Sequence, residues 1–386
     1  MPTGAAFGGQ TPTMKLGTVH DGDVYVTEYR SVLVGRGESG FDTVGRLPVP
    51  TGGRAGLSYR LKSGRIPKSI VERYVGRFAT VNVWPVTATV LVASSDRWLF
   101  VSEDGGRTWR TSLEFPQSSG PMGILPTAFC DDDGTWYVGE YPLDTAATPR
   151  VLQSDDRGRT WSTALSLPSV RHIHSVETDP YTGKLWITTG DVGDGCAIGR
   201  LVDGTFDRLG SGTQRWRAVD LAFTPSSVLW GMDSVYEPEK PIMLVRREQF
   251  DAVEPTVRTV NRLDSSVYYA TTLETAGEHW VVFSTAMEPN TDSTAPGDRQ
   301  MNFSNRARAV AASSGSGYEN WHELASYEKR RVPADAARLR GYVPPANAYV
   351  FLASDSRRGV FLNPYNTRTD CGQIIVFPPS HFEGLS

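Results

Sequence analysis

The chain has 386 residues, and its 39 lysines and arginines nearly balance its 43 aspartates and glutamates, giving a formal net charge of −4 at pH 7. This balance argues against a dedicated nucleic-acid-binding protein, whose surface would be strongly basic. Hydrophobic residues make up 39% of the chain, enough for a large core, but no apolar run approaches the roughly 20 residues that span a bilayer. We therefore expect a soluble protein that neither binds nucleic acid nor inserts into a membrane.

Glycine, proline and aromatic residues are the informative part of the composition. The chain contains 38 glycines, 25 prolines and 10% aromatic residues, a mixture typical of many short strands joined by turns, which predicts an all-β fold. Its three cysteines are too few and too scattered for a disulfide framework. The first residues show neither the basic nor the apolar segment of a signal peptide, so the sequence leaves the cellular location open.

The first part of the chain predicts strands interrupted by one basic segment. Residues 23–29 have the alternation of a strand, and residues 37–41 predict a turn closed by an aromatic residue. Arg65 lies in a segment that we expect to be a basic loop leading into residues 69–74. Residues 90–95 are again predicted to form a strand.

Two related segments of eight residues provide the strongest pattern in the sequence. Residues 102–109 are SEDGGRTW and residues 154–161 are SDDRGRTW, and the two segments start 52 positions apart. Each falls between two strand-like stretches, which predicts a hairpin turn. The aspartate would accept turn amides, the glycine would take a positive φ, and the tryptophan would pack back on the sheet. The spacing of the two turns predicts a repeated β-sheet unit.

This S-x-D-x-G-x-T-W pattern is the Asp box, and on it the chain resembles the sialidase-like, or BNR-repeat, β-propellers. The resemblance implies four-stranded blades in which the box joins the third strand to the fourth and is structural rather than catalytic. Weaker turns closed by an aromatic residue bring the number of such turns to six; they are residues 37–41, 202–206, 247–250 and 317–321.

A last group of strands, within residues 348–377, follows the sixth turn. We therefore predict an all-β, seven-bladed β-propeller of four-stranded antiparallel blades, with six blades as the alternative. Repetition of this unit accounts for the whole chain, so residues 1–386 are predicted to form a single domain.

The register of the blades assigns the other loops to faces. If the boxes join third to fourth strands, they all lie on one face of the propeller. The loops after the second strands and the crossings between blades then lie on the opposite face, around the central funnel. Most predicted second strands end beside a carboxylate, and we place the ligand site at these ends. The predicted second strands are residues 23–29, 90–95, 135–141, 184–190, 228–233, 279–284 and 348–355. The carboxylates are Glu28, Asp96, Glu140, Asp191, Asp233 and Asp355, and the long loops are residues 142–149, 235–241 and 287–306.

Two of the six histidines lie together in residues 171–174, in the predicted crossing from the third blade to the fourth. Alternation along an extended segment places both imidazoles, His172 and His174, on one side. Three interpretations remain open. His174 caps a buried strand end while His172 is solvated; or the two form a general acid–base pair; or they bind a divalent cation with Asp191 or Asp233 as third ligand. No motif in the sequence requires a metal or cofactor.

The next crossing contains two arginines and a tryptophan. Arginine forks bind planar anions and tryptophan faces stack on pyranose rings, which suits a sugar that carries a carboxylate or sulfate. The alternative is that Arg217 only pairs with a neighbouring carboxylate. The predicted substrate-binding residues are Glu140, Arg215, Trp216, Arg217 and Asp233.

We expect a carbohydrate-active enzyme that cleaves an acidic glycan or polysaccharide on the funnel face, by hydrolysis or β-elimination. Proton transfer is assigned to His172 or His174, with Asp191 as a further catalytic residue, and in a lyase Tyr141 or Tyr236 would protonate the leaving oxygen. The alternative is a non-catalytic propeller that binds glycan or protein. We expect the chain to be a monomer whose partner is a glycan.

Further resemblances bear on the activity. Sialidases carry an Arg-Ile-Pro motif before the first box, and residues 65–67 match it 37 positions ahead of Ser102. No aspartate occurs in residues 68–95 to match the sialidase acid, so exo-sialidase activity is the less favoured hypothesis. Roughly residues 170–235 are similar to uncharacterised bacterial and archaeal BNR-type proteins, a resemblance that implies no established activity.

Overall fold

Tight antiparallel hairpins account for most of the chain. The computed structural model describes residues 4–6, 10–37, 40–76, 81–120, 122–191, 193–288, 304–335 and 346–385. In these residues the strands form seven four-stranded antiparallel sheets, which confirms the seven-bladed β-propeller and shows that the six-bladed alternative is wrong. The turn predicted at residues 37–41 and the loop predicted at residues 287–306 lie partly outside the described residues.

Six blades follow the chain in order after a two-residue strand, β1 (Ala5–Ala6), each running from an innermost first strand to an outermost fourth strand. The first blade consists of β2 (Lys15–His20), β3 (Asp23–Glu28), β4 (Ser31–Gly35) and β5 (Phe41–Arg46). The second consists of β6 (Val81–Pro85), β7 (Leu91–Ser95), β8 (Trp98–Ser102) and β9 (Arg110–Glu114). The third consists of β10 (Phe129–Asp132), β11 (Thr135–Gly139), β12 (Arg150–Ser154) and β13 (Ser162–Ser166). The fourth blade consists of β14 (His172–Thr178), β15 (Leu185–Gly190), β16 (Ala197–Val202) and β17 (Thr205–Ser211). The fifth consists of β18 (Leu221–Phe223), β19 (Ser227–Gly231), β20 (Lys240–Arg246) and β21 (Arg258–Leu263). The sixth consists of β22 (Ser266–Thr275), β23 (Glu278–Ala286), β24 (Arg306–Ser313) and β25 (His322–Glu328).

The seventh blade joins the two ends of the chain. Its first three strands are β26 (Tyr349–Asp355), β27 (Gly359–Tyr365) and β28 (Ile375–Phe377), and β1 supplies the fourth by pairing Ala5 with Val376. The prediction of residues 348–355 as a second strand is therefore wrong, because the blade takes its outermost strand from the other end of the chain. Asp355 consequently ends a first strand, away from the funnel face.

The two repeated segments form turns between third and fourth strands. The Ser102 hydroxyl accepts the Gly106 N–H at 2.8 Å and donates to Asp104 Oδ1 at 2.8 Å, and the same Oδ1 accepts the Thr108 N–H at 2.9 Å. Residues 154–161 repeat these bonds. Because the bonds close within eight residues, the local sequence is enough to specify the turn and the strand order on either side of it.

Two helices connect the first blade to the second, so the loop predicted there is wrong. They are α1 (Gly53–Ser63) and α2 (Arg65–Val75). Ile66 and Ile70 have the four-residue spacing of one helix face, and Pro67 lies in the first turn of its helix, where a missing N–H breaks no bond. Among the described residues, no helix is long and apolar enough to cross a membrane.

Buried tryptophans fill the space between successive blades. One occurs on the second strand of each of the third to sixth blades, and none is more than 1% exposed. Truncating such a side chain to alanine costs roughly 3–5 kcal/mol, so these positions fix the packing of one blade on the next. They are Trp136, Trp186, Trp230 and Trp280. A short helix near the C-terminus, α3 (Pro379–Glu383), adds Phe382 against Trp280 with ring centroids 5.3 Å apart.

Candidate functional site

A cavity of about 280 Å³ opens on the funnel face. Its lining combines acidic, aromatic and amide side chains from the third to the seventh blades. Since these side chains stand at strand ends and in crossings, the blade scaffold holds them in position. The lining residues with chemical function are Tyr141, His174, Asp191, Arg217, Asp233, Tyr268, Glu288, Asn347 and Tyr349.

Asp191 contacts both predicted histidines. It follows β15 directly, and His172 and His174 begin the adjacent first strand, β14. Nε2 of His172 lies 2.8 Å from Asp191 Oδ2, and Nε2 of His174 lies 3.3 Å from Oδ1. Both histidines are 1% exposed. The structure therefore brings these three residues together around one carboxylate.

Hydrogen bonds define which ring nitrogens carry protons. A carbonyl oxygen only accepts, so His174 Nδ1 donates to the Ala218 oxygen at 2.9 Å. The other ring nitrogen of His174, Nε2, faces Asp191 Oδ1 at 3.3 Å. His172 instead donates from Nε2 to Asp191. Burial is the main cause that lowers the pKa of His172, so this ring is neutral at pH 7.

Gly190, the last residue of β15, allows the close approach of His174. A Cβ at this position would lie 2.4 Å from His174 Cε1 and 3.0 Å from its Nε2, a separation that packed side chains do not tolerate. The strand therefore needs glycine here for the imidazole to reach Asp191.

Arg217 is the cation closest to these carboxylates. Its Nη2 lies 3.0 Å from Asp191 Oδ1 and 3.1 Å from Asp233 Oδ2, so one guanidinium bridges acids from two blades. Burial alone would raise the pKa of Asp191, but its contacts with the two histidines and the charge of Arg217 hold that pKa well below its ordinary value. Burial likewise opposes the charge of Arg217, yet Asp233 and Asp191 raise its pKa. Both groups are ionised at neutral pH.

The carboxyl group of Glu288 has the opposite protonation state to that of Asp191. Its Oε1 accepts hydrogen bonds from the Tyr268 hydroxyl and from the Asn347 amide, the latter at 2.9 Å. Burial, followed by the charge of Asp233, raises the pKa of Glu288 to about 7. A carboxylic acid that keeps its proton close to neutral pH thus shares the cavity with the ionised Asp191.

Tyr141 covers the histidine side of the cavity. Its ring stacks on His172 with centroids 3.9 Å apart and planes within 6°. Burial, followed by the charges of Asp191 and Asp233, raises the pKa of Tyr141 above its usual range. Its hydroxyl is therefore a proton-bearing phenol at physiological pH.

Three side chains have the arrangement of a cation site. His174, Asp191 and Asp233 each offer one ligand atom, and these atoms lie within 4.8 Å of one another. Imidazole and carboxylate are suitable ligands for a divalent cation. Arg217 contacts the same two carboxylates, however, so a metal ion would have to displace the guanidinium.

Two predicted residues near the third and fifth blades are placed outside the cavity lining. Glu140 is 3% exposed and pairs with Arg150 at 2.6 Å, a contact between neighbouring strands of one blade. Tyr236 is half-buried, and its backbone N–H donates to Ser234 Oγ at 3.2 Å. The sequence placed Glu140 at the correct strand end, but its side chain is already neutralised by the arginine.

Arg215 and Trp216 also lie outside the cavity lining. Trp216 stacks on Trp230, with centroids 5.3 Å apart and planes within 21°, and so contributes to packing inside the blades. Arg215 is exposed and donates to the Val257 carbonyl oxygen at 2.6 Å. Of the three consecutive residues predicted in this crossing, only Arg217 reaches the cavity.

The contribution of the sixth and seventh blades to the cavity was not predicted from the sequence. Glu288 stands two positions after β23, as Asp233 stands two positions after β19, so the pattern of carboxylates at strand ends contained the signal. The strand predicted at residues 279–284 ended too early for Glu288 to be recognised beside its end. Tyr268 and Tyr349 lie near the start of first strands, where aromatic residues are common in any β-sheet.

Comparison with known proteins shows the fold alone. No protein-family model and no curated protein matches the chain. A chain of the Mitotic Checkpoint Complex matches with a TM-score of 0.52 and 10% identity over 98% of this chain and 93% of that one. A puromycin-hydrolysing peptidase of Mycobacterium tuberculosis matches with a TM-score of 0.51 and 13% identity over 98% of this chain and 56% of that one. An ancestral GH74 enzyme matches with a TM-score of 0.45 and 11% identity over 98% and 55%. These likenesses are typical of propellers with unrelated activities.

Proposed function

We propose that the funnel cavity hydrolyses a glycosidic bond in a glycan. The observation that carries the proposal is a protonated carboxyl group, that of Glu288, in the same cavity as two carboxylates, Asp191 and Asp233, that share the cation Arg217. The pKa of Glu288 is raised to about 7, and the pKa of Asp191 is held well below its ordinary value. Most glycoside hydrolases need one carboxylic acid and one carboxylate on either side of the scissile bond, with environments that separate their pKa values.

Glu288 is assigned the role of general acid. Its O–H protonates the glycosidic oxygen as the bond from that oxygen to the anomeric carbon breaks, and the leaving sugar departs as an alcohol. Tyr268 and Asn347 both donate to Oε1, and Ser266 donates to Oε2 at 3.2 Å, so Oε2, which receives fewer of these donors, is assigned the proton. These hydrogen bonds fix the orientation of the carboxyl group.

Asp233 is assigned the role of general base. Its Oδ1 is buried and has no hydrogen-bond partner among the described residues, whereas Oδ2 is held by Arg217 at 3.1 Å. The open oxygen is suited to take a proton from the water that adds to the anomeric carbon. Asp191 is less suited, because His172 and Arg217 already occupy it; we assign it the positioning of the guanidinium.

The charge of the lining favours a neutral sugar over the acidic glycan expected from the sequence. Three acids line the cavity, and the single arginine among the described lining residues, Arg217, is already shared by two of them. A substrate carboxylate would meet these acids without a free cation, and β-elimination needs that carboxylate to be neutralised. The aromatic faces of Tyr268 and Tyr349 suit the apolar face of a pyranose.

The test compares Glu288→Gln with the wild type on neutral glycosides. We expect kcat/KM to fall by about 10²- to 10⁴-fold on substrates with sugar leaving groups. The loss should be much smaller on dinitrophenyl glycosides, whose leaving group needs no proton. Asp233→Asn should reduce the turnover of both kinds of substrate. Glu239→Gln, which alters an exposed glutamate paired with Arg262, is the matched control.

Other results would overturn the assignment. An equal loss on both leaving groups would exclude Glu288 as the acid. Turnover restricted to uronate substrates with an unsaturated product would favour β-elimination. Saturable glycan binding without any product would favour the alternative of a binding propeller.

A further inference from the structure

The helices α1 and α2 carry most of the exposed apolar surface. In the described part of the chain, ten large apolar side chains are exposed, and six of them lie on these two helices with 49% to 74% of their surface accessible. Soluble proteins keep such patches where they bind something. The six are Leu57, Leu61, Ile66, Ile70, Val71 and Tyr74.

These side chains form a stripe on each helix. Leu57 and Leu61 are four residues apart on α1, and Ile66, Ile70 and Tyr74 continue at the same spacing on α2. Residues four apart lie on one helical face. α2 therefore presents an apolar face, to which α1 adds the exposed side chains of Leu57 and Leu61.

Positive charges surround the stripes. Arg60, Lys62, Arg65 and Arg73 are exposed, whereas Glu72, the one acidic residue of the two helices, is 5% exposed. Among their described side chains, the two helices thus present apolar and cationic groups and no exposed carboxylate. This combination is typical of amphipathic helices that lie on the surface of an anionic bilayer.

The hairpin is fastened to the funnel face. Tyr59 of α1 is 2% exposed, donates from its hydroxyl to Ser95 Oγ at 2.9 Å, and packs edge-on against Trp98 with centroids 5.2 Å apart. Ser95 ends β7, a second strand, and second strands end at the funnel face. A surface that binds the helices would therefore lie beside the mouth of the cavity.

A second, mostly apolar cavity lies beneath the hairpin. It measures about 250 Å³, and its lining includes Leu61 and Val71 from the helices together with Val81 from the second blade. A flexible acyl segment could enter such a cavity, whereas a folded protein partner would cover it from outside. This feature favours lipid as the occupant of the surface.

We propose that the α1–α2 hairpin docks the propeller on an anionic membrane surface. The apolar stripes lie among the headgroups, and the arginines and lysine contact lipid phosphates. Docking is peripheral, because each helix has 11 residues and a span needs about 20. The inference does not depend on the hydrolytic activity proposed for the funnel, and its test measures binding alone.

The test is co-sedimentation of the full chain with vesicles. We expect binding to vesicles of phosphatidylcholine and phosphatidylglycerol, at least tenfold weaker binding to phosphatidylcholine alone, and a decline as salt screens the charges. Ile66→Ser with Ile70→Ser, and separately Arg60→Glu with Arg73→Glu, should each reduce binding at least tenfold. Val253→Ser, which alters a fully exposed apolar residue in the turn between β20 and β21, is the matched control.

Circular dichroism of each variant establishes that the fold is intact. Failure of the wild type to bind anionic vesicles would overturn the proposal, and so would binding that survives both double substitutions. Self-association that disappears in the Ile66→Ser, Ile70→Ser variant, without vesicle binding by the wild type, would assign the surface to a second copy of the chain. Tight binding of a folded acidic protein without vesicle binding would assign it to a protein partner.

Discussion

Arg217 contacts both carboxylates of the candidate cation site. Its guanidinium bridges Asp191 and Asp233, and His174 offers a third ligand atom beside them. Arg217→Met keeps much of the apolar stem but leaves two carboxylates without their cation, which destabilises a fold by roughly 3–5 kcal/mol. We expect this variant to bind Mn²⁺ more tightly than the wild type and to regain stability on binding, because the vacated ligands suit a divalent cation.

Titration calorimetry and thermal unfolding with and without Mn²⁺ measure this gain. Arg150→Met removes an arginine that pairs with Glu140 outside the cavity, so it should lose stability without gaining Mn²⁺ affinity. Tight Mn²⁺ binding by the wild type, abolished in His174→Ala, would contradict the prediction. The ion rather than the guanidinium would then be the resident partner of the two acids.

The turns between third and fourth strands are the elements that set the register of the blades. Ser102 is 1% exposed, and its hydroxyl is the acceptor for the Gly106 N–H at 2.8 Å. Ser102→Ala removes this acceptor from a buried donor, which costs about 1–3 kcal/mol. We expect the same loss for Ser154→Ala, where Gly158 is the donor. Urea unfolding measures both, with the exposed Ser162→Ala as control; a cost no larger than that of the control would contradict the assigned role.

The range of the interactions explains which elements the sequence predicts. A turn such as residues 102–109 is closed by bonds among its own residues, so a contiguous pattern specifies it. The closing pair of Ala5 with Val376 joins opposite ends of the chain, and no local pattern marks so distant a partner. The helices were missed for another reason: their basic composition suggested a loop, although Ile66 and Ile70 have helical spacing.

The residues of the candidate site likewise divide into those that the sequence predicts and those that it does not. His172, His174 and Asp191 could be predicted together, because alternation and strand ends place all three at the funnel face. Glu288 and Tyr268 could not, because their place beside Asp191 depends on the packing of the sixth blade against the fifth. Whether a strand-end side chain enters the cavity or pairs locally, as Glu140 does with Arg150, is decided by neighbours distant in sequence.

At the scale of the whole molecule, a half-buried acid pair contacts strands of three blades. Glu177 on β14 hydrogen-bonds Asp220, which precedes β18, and Asp220 accepts the Ala270 N–H of β22 at 2.8 Å. Burial raises the pKa of Asp220 to about 7. Burial and the charge of Asp220 raise the pKa of Glu177 well above its ordinary value. These raised pKa values mean that the pair keeps a proton beside the innermost strands of the fourth to sixth blades.

The folded chain consequently binds more protons than the unfolded chain between about pH 4, where free carboxyls titrate, and about pH 7. The stability from this pair is fully present below that window and is lost as the pH rises through it, by about 1.4 kcal/mol per pH unit for each retained proton. Glu177→Gln substitutes a neutral side chain of similar shape, so its free energy of unfolding should vary less with pH than that of the wild type. Urea unfolding across the window measures this, with the exposed Glu274→Gln as control. Equal slopes in Glu177→Gln and the wild type would mean that the pair releases its proton before the window begins, and that the inner strands are held together without it.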